Sequence, residues 1–222
     1  SLDIEAQCTQ PLWVNIWVPQ DIPGGVYKGA LTVSGENFAD VRLPMKINVQ
    51  KRTLPDPAQW VFHLDLWQNP YAVARYYNVP LWSRQHFDIM KPLMQQLANA
   101  GQKVITASVM HHPWAGQTED PFDSMVFRMK KIDGSWVYDY TVFDRWVEFM
   151  MSLGIDRQIN CYTLVPWALK FDYYDQATNR IRFVEAKPGE AAYEDYWFSF
   201  LKDFAGHLRQ KGWFEKTTIA MD

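Results

Sequence analysis

The sequence predicts an α/β protein: the first half of a (β/α)8 TIM-type barrel, preceded by the end of an antiparallel β-sandwich. Three observations carry this. Up to about position 52 the chain reads as strands joined by tight turns. Beyond it, strand and helix patterns alternate through four successive units. Along the four strands of those units, polar residues fall on one face and apolar residues on the other.

The first unit is expected over residues 1–52, as the C-terminal strands of a sandwich. Leu12 to Pro19 combines β-branched and aromatic residues with a proline stop. Gly24-Gly25 turns into a second strand over Val26–Val33, and Ser34-Gly35-Glu36-Asn37 turns into a third over Val41–Val49. Three strands alone leave an apolar face uncovered, so partner strands are expected. Thr53-Leu54-Pro55-Asp56-Pro57 is a stiff boundary, and 53–222 is expected to be the barrel half.

Within that half, Trp60–Trp67 predicts the first strand. Trp82–Ala100 predicts a helix with Ser83 as N-cap and Gly101 as its stop. Lys103–Met110 is the second strand and Tyr140–Leu153 the next helix, closed by Gly154. Gln158–Leu164 is the third strand, Tyr193–Lys211 a long amphipathic helix closed by Gly212, and Thr217–Met221 the fourth strand. A doubly wound dinucleotide fold would place a glycine-rich phosphate turn after its first strand, and His63-Leu64-Asp65-Leu66-Trp67-Gln68 has none. The polar faces (His63 and Asp65; Thr106 and Ser108; Asn160 and Tyr162; Thr218, Ala220 and Asp222) favour a barrel lumen. A complete barrel takes roughly 250 residues, more than follow position 52, so the remainder of the same barrel is an expected partner.

Composition narrows the function. Lys plus Arg number 22 against 25 Asp plus Glu, a net charge of −3, and the pI is about 5.9. A nucleic-acid binder would show a basic excess. No apolar run approaches the roughly 20 residues of a membrane span, and the mean hydropathy is −0.31. Neither nucleic acid nor membrane is an expected partner. Cys8 and Cys161 fall in different units and are expected to be free thiols; no cysteine or histidine spacing predicts a metal, and no cofactor is expected. No signal peptide is visible in Ser1-Leu2-Asp3. Aromatic residues make up 16% of the chain. Many stand beside Asp, His, Asn and Gln, a mixture that suits either sugar binding or an aromatic core.

In a barrel, function gathers at the C-terminal ends of the strands. Asp65, Trp67, His111, His112, Tyr162, Trp167 and Asp222 occupy those ends, with His63 on the same face of the first strand. Trp67, Trp114 and Trp167 either form a sugar platform or cover the barrel top. Asp65 is read first as a brace for the floor of the site. His111 and His112 sit at a strand end, where adjacent side chains diverge, so a shared metal is not expected. Long loops, His111–Trp136 and Pro166–Tyr193, are expected to shape a cleft, and Phe171–Asp175 is read as part of such a loop or a solvated hairpin. No nucleophile elbow or phosphate loop appears, so carboxylates and glycoside chemistry come first. A non-catalytic carbohydrate-binding or structural module is the alternative.

Gln10-Pro11-Leu12-Trp13-Val14, Val18-Pro19 and Pro23-Gly24-Gly25-Val26-Tyr27-Lys28-Gly29 resemble the sandwich preceding the barrel in glycoside hydrolase family 123. His63-Leu64-Asp65-Leu66-Trp67-Gln68 and Ile219-Ala220-Met221-Asp222 resemble that family's first and fourth barrel strands. The resemblance implies an exo-acting, retaining β-N-acetylgalactosaminidase in the periplasm or secreted, whose substrate is a glycan with a terminal β-linked N-acetylhexosamine. It implies catalysis assisted by the substrate's own 2-acetamido group, with Asp222 as the Asp of an Asp-Glu pair. The Glu would come next, and the 222-residue chain does not contain it, so these residues by themselves are expected to be inactive.

Overall fold

The computed structural model describes residues 3–221, and the chain divides into two compact units, Ser1–Pro55 and Asp56–Asp222. In the first unit, β1 (Gly25–Gly35) and β2 (Phe38–Val49) form an antiparallel hairpin. Its register pairs Tyr27 with Ile47, Leu31 with Leu43 and Val33 with Val41 on one face. Lys28 pairs with Lys46 and Thr32 with Arg42 on the other. The expected strand over Leu12–Pro19 does not form: that stretch joins no sheet, and Trp13 and Trp17 are 89% and 86% exposed. A strand exists only where a neighbour takes its N–H and C=O groups, and no described residue offers that edge.

In the second unit, three parallel strands, β3 (Val104–Ser108), β6 (Gln158–Tyr162) and β9 (Thr217–Ala220), lie side by side in chain order. Their register aligns Thr106, Asn160 and Thr218 in one row and Ser108, Tyr162 and Ala220 in the next. The intervening positions Ile105, Ala107, Ile159 and Cys161 are buried on the other face. The predicted first strand, Trp60–Trp67, is reduced to a single parallel bridge between Leu64 and Gln102. Side chains then replace the ladder. The Gln102 carboxamide accepts from Leu66 N–H at 2.8 Å and donates to Leu66 C=O at 3.1 Å. The Gln68 carboxamide accepts from Thr106 N–H at 2.8 Å and donates to Val104 C=O at 3.2 Å.

Helix α1 (Pro70–Tyr77), absent from the sequence reading, begins at Asn69, whose side chain accepts from Ala72 N–H. Helix α2 (Arg84–Asn99) starts at Ser83, the expected cap, with a 3.2 Å bond from His86 N–H. Gly101 follows the helix at φ +88°, a conformation that glycine adopts without steric cost. Helix α3 (Thr141–Ser152) buries Phe143, Trp146, Val147 and Met150, and the Trp146 indole donates to Thr106 C=O at 2.9 Å.

Helix α4 (Ala191–Lys211) turns an aromatic stripe inward: Tyr193, Tyr196, Trp197, Phe200 and Phe204. This spacing is one face of a helix. The stripe meets a second sheet. Where loops were expected, hairpins β4 (Phe127–Lys130)–β5 (Trp136–Asp139) and β7 (Lys170–Asp175)–β8 (Arg180–Glu185) join through β4 and β7 into four strands, ordered β5-β4-β7-β8. Phe171 is accordingly fully buried, 5.3 Å from the Tyr196 and Trp197 rings. Much of the aromatic surplus is therefore core. Cys161 is buried and Cys8 exposed, both as free thiols. No helix among the described residues is long and apolar enough to cross a membrane.

Two consequences are measurable. Gln102→Ala strips partners from Leu66 and Val104 backbone groups, so it is expected to cost about 1–3 kcal/mol in urea unfolding. His86 is buried; its Nδ1 accepts from Trp82 N–H and its Nε2 donates to Pro70 C=O at 2.9 Å. Burial holds its pKa below the ordinary value, so the unfolded chain takes up this proton first. Its share of stability is complete above about pH 6.5 and falls as pH drops below that, by at most about 1.4 kcal/mol per pH unit. Melting temperatures from pH 7.5 to 5 are expected to fall less steeply in His86→Gln.

Candidate functional site

At the C-terminal edge of the parallel sheet, three rings meet: two from connections, Trp67 and Trp114, and one from the last residue of β6, Tyr162. The Trp67 centroid lies 4.9 Å from Tyr162 and 5.5 Å from Trp114, and Trp114 lies 5.2 Å from Tyr162. Trp114 and Tyr162 are buried, whereas Trp67 is 53% exposed and presents the open surface of the trio. Phe122 backs Trp114 at 4.6 Å and is itself 4.9 Å from Tyr71. Trp167, 62% exposed, stands on a loop whose backbone N–H donates to Pro113 C=O at 3.3 Å. The same loop is held to α4 by the Tyr193 hydroxyl, which donates to Leu164 C=O at 2.9 Å.

Beneath the rings runs a polar row. The Asn160 amide donates to Asp65 Oδ2 at 3.0 Å, and Asn160 Oδ1 accepts from Gln158 at 2.6 Å and from the Thr218 hydroxyl. Asp65 Oδ1 is buried and has no partner among the described residues. Its carboxylate is thus held from one side, by Asn160. His63 is exposed and precedes the Leu64–Gln102 bridge, which itself lies before β3 begins. It therefore stands toward the N-terminal end of the sheet, and the structure does not bring it to the rings.

His111 and His112 do not diverge. Their rings lie 3.8 Å apart at an interplanar angle of 31°. The divergence rule holds for extended backbone, and His112 leaves it at φ +53°. The turn is fixed by His112 N–H to Phe122 C=O at 2.8 Å and Ala115 N–H to His112 C=O at 3.0 Å. His111 Nδ1 sits 2.9 Å from Asp123 Oδ1. Burial, then the neighbouring His111, lowers the His112 pKa from its ordinary value, while Asp123 and Asp172 oppose the shift. Asp222 lies outside the described residues.

Several residues that set this geometry escaped the sequence reading. Arg75 grips the Asp120 carboxylate through Nε at 2.7 Å and a terminal nitrogen at 3.1 Å, pinning the loop after β3 to α1. Buried Arg128 donates to Val109 C=O and to Ser124 Oγ, and its guanidinium lies 4.1 Å from the Phe200 ring. Asp123 reaches His111 from twelve positions along the chain. Sequence spacing carries no signal for these pairs, because each is made by loops folding back.

The exposed Trp67 indole and the carboxylate–carboxamide row lie toward the C-terminal edge of a parallel sheet, where the sites of α/β enzymes gather. The chain belongs to glycoside hydrolase family 123: residues 67–222 match that family's catalytic domain, and residues 1–35 its N-terminal domain. A solved family 123 glycoside hydrolase from Clostridium perfringens, described for its hydrolysis of glycolipid glycans, is 31% identical with a TM-score of 0.84. The similarity covers 92% of this chain and 37% of that one, so the chain spans little more than a third of the solved relative. No curated protein matches the sequence.

The two tryptophans of the ring cluster should separate on mutation. Trp67→Ala removes an exposed face and is expected to leave the melting temperature nearly unchanged. Trp114→Ala empties a buried site and is expected to cost about 3–5 kcal/mol of stability. Thermal unfolding of both variants checks the contrast.

Proposed function

We propose that the intact protein is a retaining, exo-acting β-N-acetylgalactosaminidase whose sugar sits against Trp67 at the C-terminal edge of the parallel sheet. The observation that carries this reading is the Trp67–Trp114–Tyr162 cluster in a family 123 catalytic domain. An indole face covers the apolar C–H face of a pyranose, and polar neighbours take its hydroxyl edge. We read the parallel sheet as the first half of a (β/α)8 barrel. The sequential order of the 64–68 segment, β3, β6 and β9 supports this, as does the Asp65–Asn160–Thr218 row on one face. The hairpin unit is read as the end of a β-sandwich; its apolar Tyr27–Ile47 and Leu31–Leu43 face supports a covering layer. Division near residue 52 accords with the separate matches at 1–35 and 67–222.

In the proposed mechanism the acetamido oxygen of the substrate attacks the anomeric carbon and displaces the glycosidic oxygen, which takes a proton from a carboxylic acid. Asp222 orients the acetamide by accepting its N–H and offsets the positive charge that develops there. Water then opens the oxazolinium-type intermediate from the opposite face, so configuration is retained. The acid that becomes the base is the Glu the family pattern puts next after Asp222. His111, His112, Tyr162 and Trp167 would line the sugar cleft, with Asp65 bracing its floor. A periplasmic or secreted location suits a glycan substrate of this kind.

The test is an assay of the gene product extended past Asp222 on an aryl 2-acetamido-2-deoxy-β-galactoside, with the 222-residue chain run beside it. Turnover by the longer protein alone is expected. Asp222→Asn in that protein should lower kcat by on the order of 10²–10³. Equal rates on the glycoside lacking the acetamido group would refute assistance by the substrate. Sugar binding without turnover would make the protein a carbohydrate-binding module.

A further inference from the structure

Besides their place in the proposed sugar cleft, His111 and His112 form with Asp123 a compact set of donor atoms. His111, His112 and Asp123 each offer one donor atom, and all three atoms lie within 4.8 Å of one another. Ligands on a tetrahedral zinc ion stand roughly 3.3 Å apart, given bonds of about 2.0–2.1 Å. The 2.9 Å separation of His111 Nδ1 and Asp123 Oδ1 is already near that spacing. Two imidazoles and one carboxylate are a borderline-soft donor set, suited to zinc and its late first-row neighbours rather than to calcium or magnesium.

The frame holding these donors is rigid on both sides. The Asp123 carbonyl accepts from the Tyr71 hydroxyl and from Ser108 Oγ, so its backbone is tied to α1 and to the end of β3. The His112 turn is pinned to Phe122. The ligands therefore need little reorganisation, which is the chief cost of forming a metal site on a flexible loop. All three remain accessible: the His111 and Asp123 side chains are 32% and 59% exposed, and His112 is half-buried. Burial, then the neighbouring His111 ring 3.8 Å away, opposes protonation of His112, and a neutral imidazole is the form that ligates.

We propose that His111, His112 and Asp123 bind one divalent transition-metal ion, Zn2+ foremost, which clamps the loop after β3 that carries Trp114. Three protein ligands leave a fourth position for water or another small donor. Binding requires deprotonated imidazoles, so affinity falls as acid protonates them. The charged and titratable groups facing His112 are His111, Asp123 and Asp172. The two carboxylates favour the bound cation as well as the proton.

Calorimetric titration of the intact, metal-free protein with Zn2+ provides the test, paired with the visible absorption spectrum of the Co2+ form. His112→Asn keeps a residue that tolerates the left-handed turn, and His111→Gln and Asp123→Asn keep polar shape. One equivalent of Zn2+ should bind the wild type and raise its melting temperature. Affinity should fall at least about tenfold in each variant, while Cys8→Ser, which removes an exposed thiol, leaves it unchanged. Absence of binding at pH 7.5, or binding that all three variants retain at wild-type affinity, overturns the proposal. Because no sugar enters the measurement, its outcome is independent of the hydrolase reading.

Discussion

Two carboxamides stand in for a β-strand at the entrance to the second unit. The segment from Leu64 to Gln68 has one bridge to the parallel sheet, and thereafter Gln102 and Gln68 supply the donors and acceptors that a backbone ladder would have supplied. An amide side chain has the same donor and acceptor pair as a peptide, so the exchange preserves hydrogen-bond satisfaction while freeing the main chain from strand geometry. Gln68 and Gln102 are both buried, where such bonds do not compete with water. Asp65 reaches Asn160 and Trp67 reaches Tyr162 only because this segment is held at that height against β3.

The other side of the site depends on packing remote from it. The aromatic stripe of α4 fills the space beneath the four-stranded sheet, and Arg128 lies in that stripe with its guanidinium over Phe200. From there it donates to Val109 C=O at the end of β3. A buried cation is tolerable when its hydrogen bonds are met and its faces lie on aromatic rings. Through Arg128 the hydrophobic core and the rim of the sheet share one rigid frame. Arg75 and Asp120 extend that frame to the loop bearing Trp114.

The rim divides its chemistry between two neighbouring clusters. Trp67, Trp114 and Tyr162 offer flat apolar surface, and His111, His112 and Asp123 offer ring nitrogens and a carboxylate. The loop after β3 supplies Trp114 to the first cluster and all three members of the second, so its conformation governs each. The positive φ of His112 is the local feature that turns its ring back onto His111.

Much of the second unit was legible in the sequence because periodicity and caps are local properties. Ser83, Gly101, Gly154 and Gly212 end or begin helices where expected, and the alternation in β3, β6 and β9 puts Thr106, Asn160 and Thr218 in one row. The family resemblance was legible in short motifs for the same reason. Tertiary structure decided the rest. Leu12–Pro19 has the composition of a strand but finds no described neighbour. Trp60–Trp67 keeps only one bridge. Phe171–Asp175 becomes a partly buried strand, with Phe171 in the core, because two loops far apart in sequence pair through β4 and β7. Composition states what a residue tolerates; hydrogen-bond partners and packing surfaces, supplied from elsewhere in the chain, decide which tolerance is used.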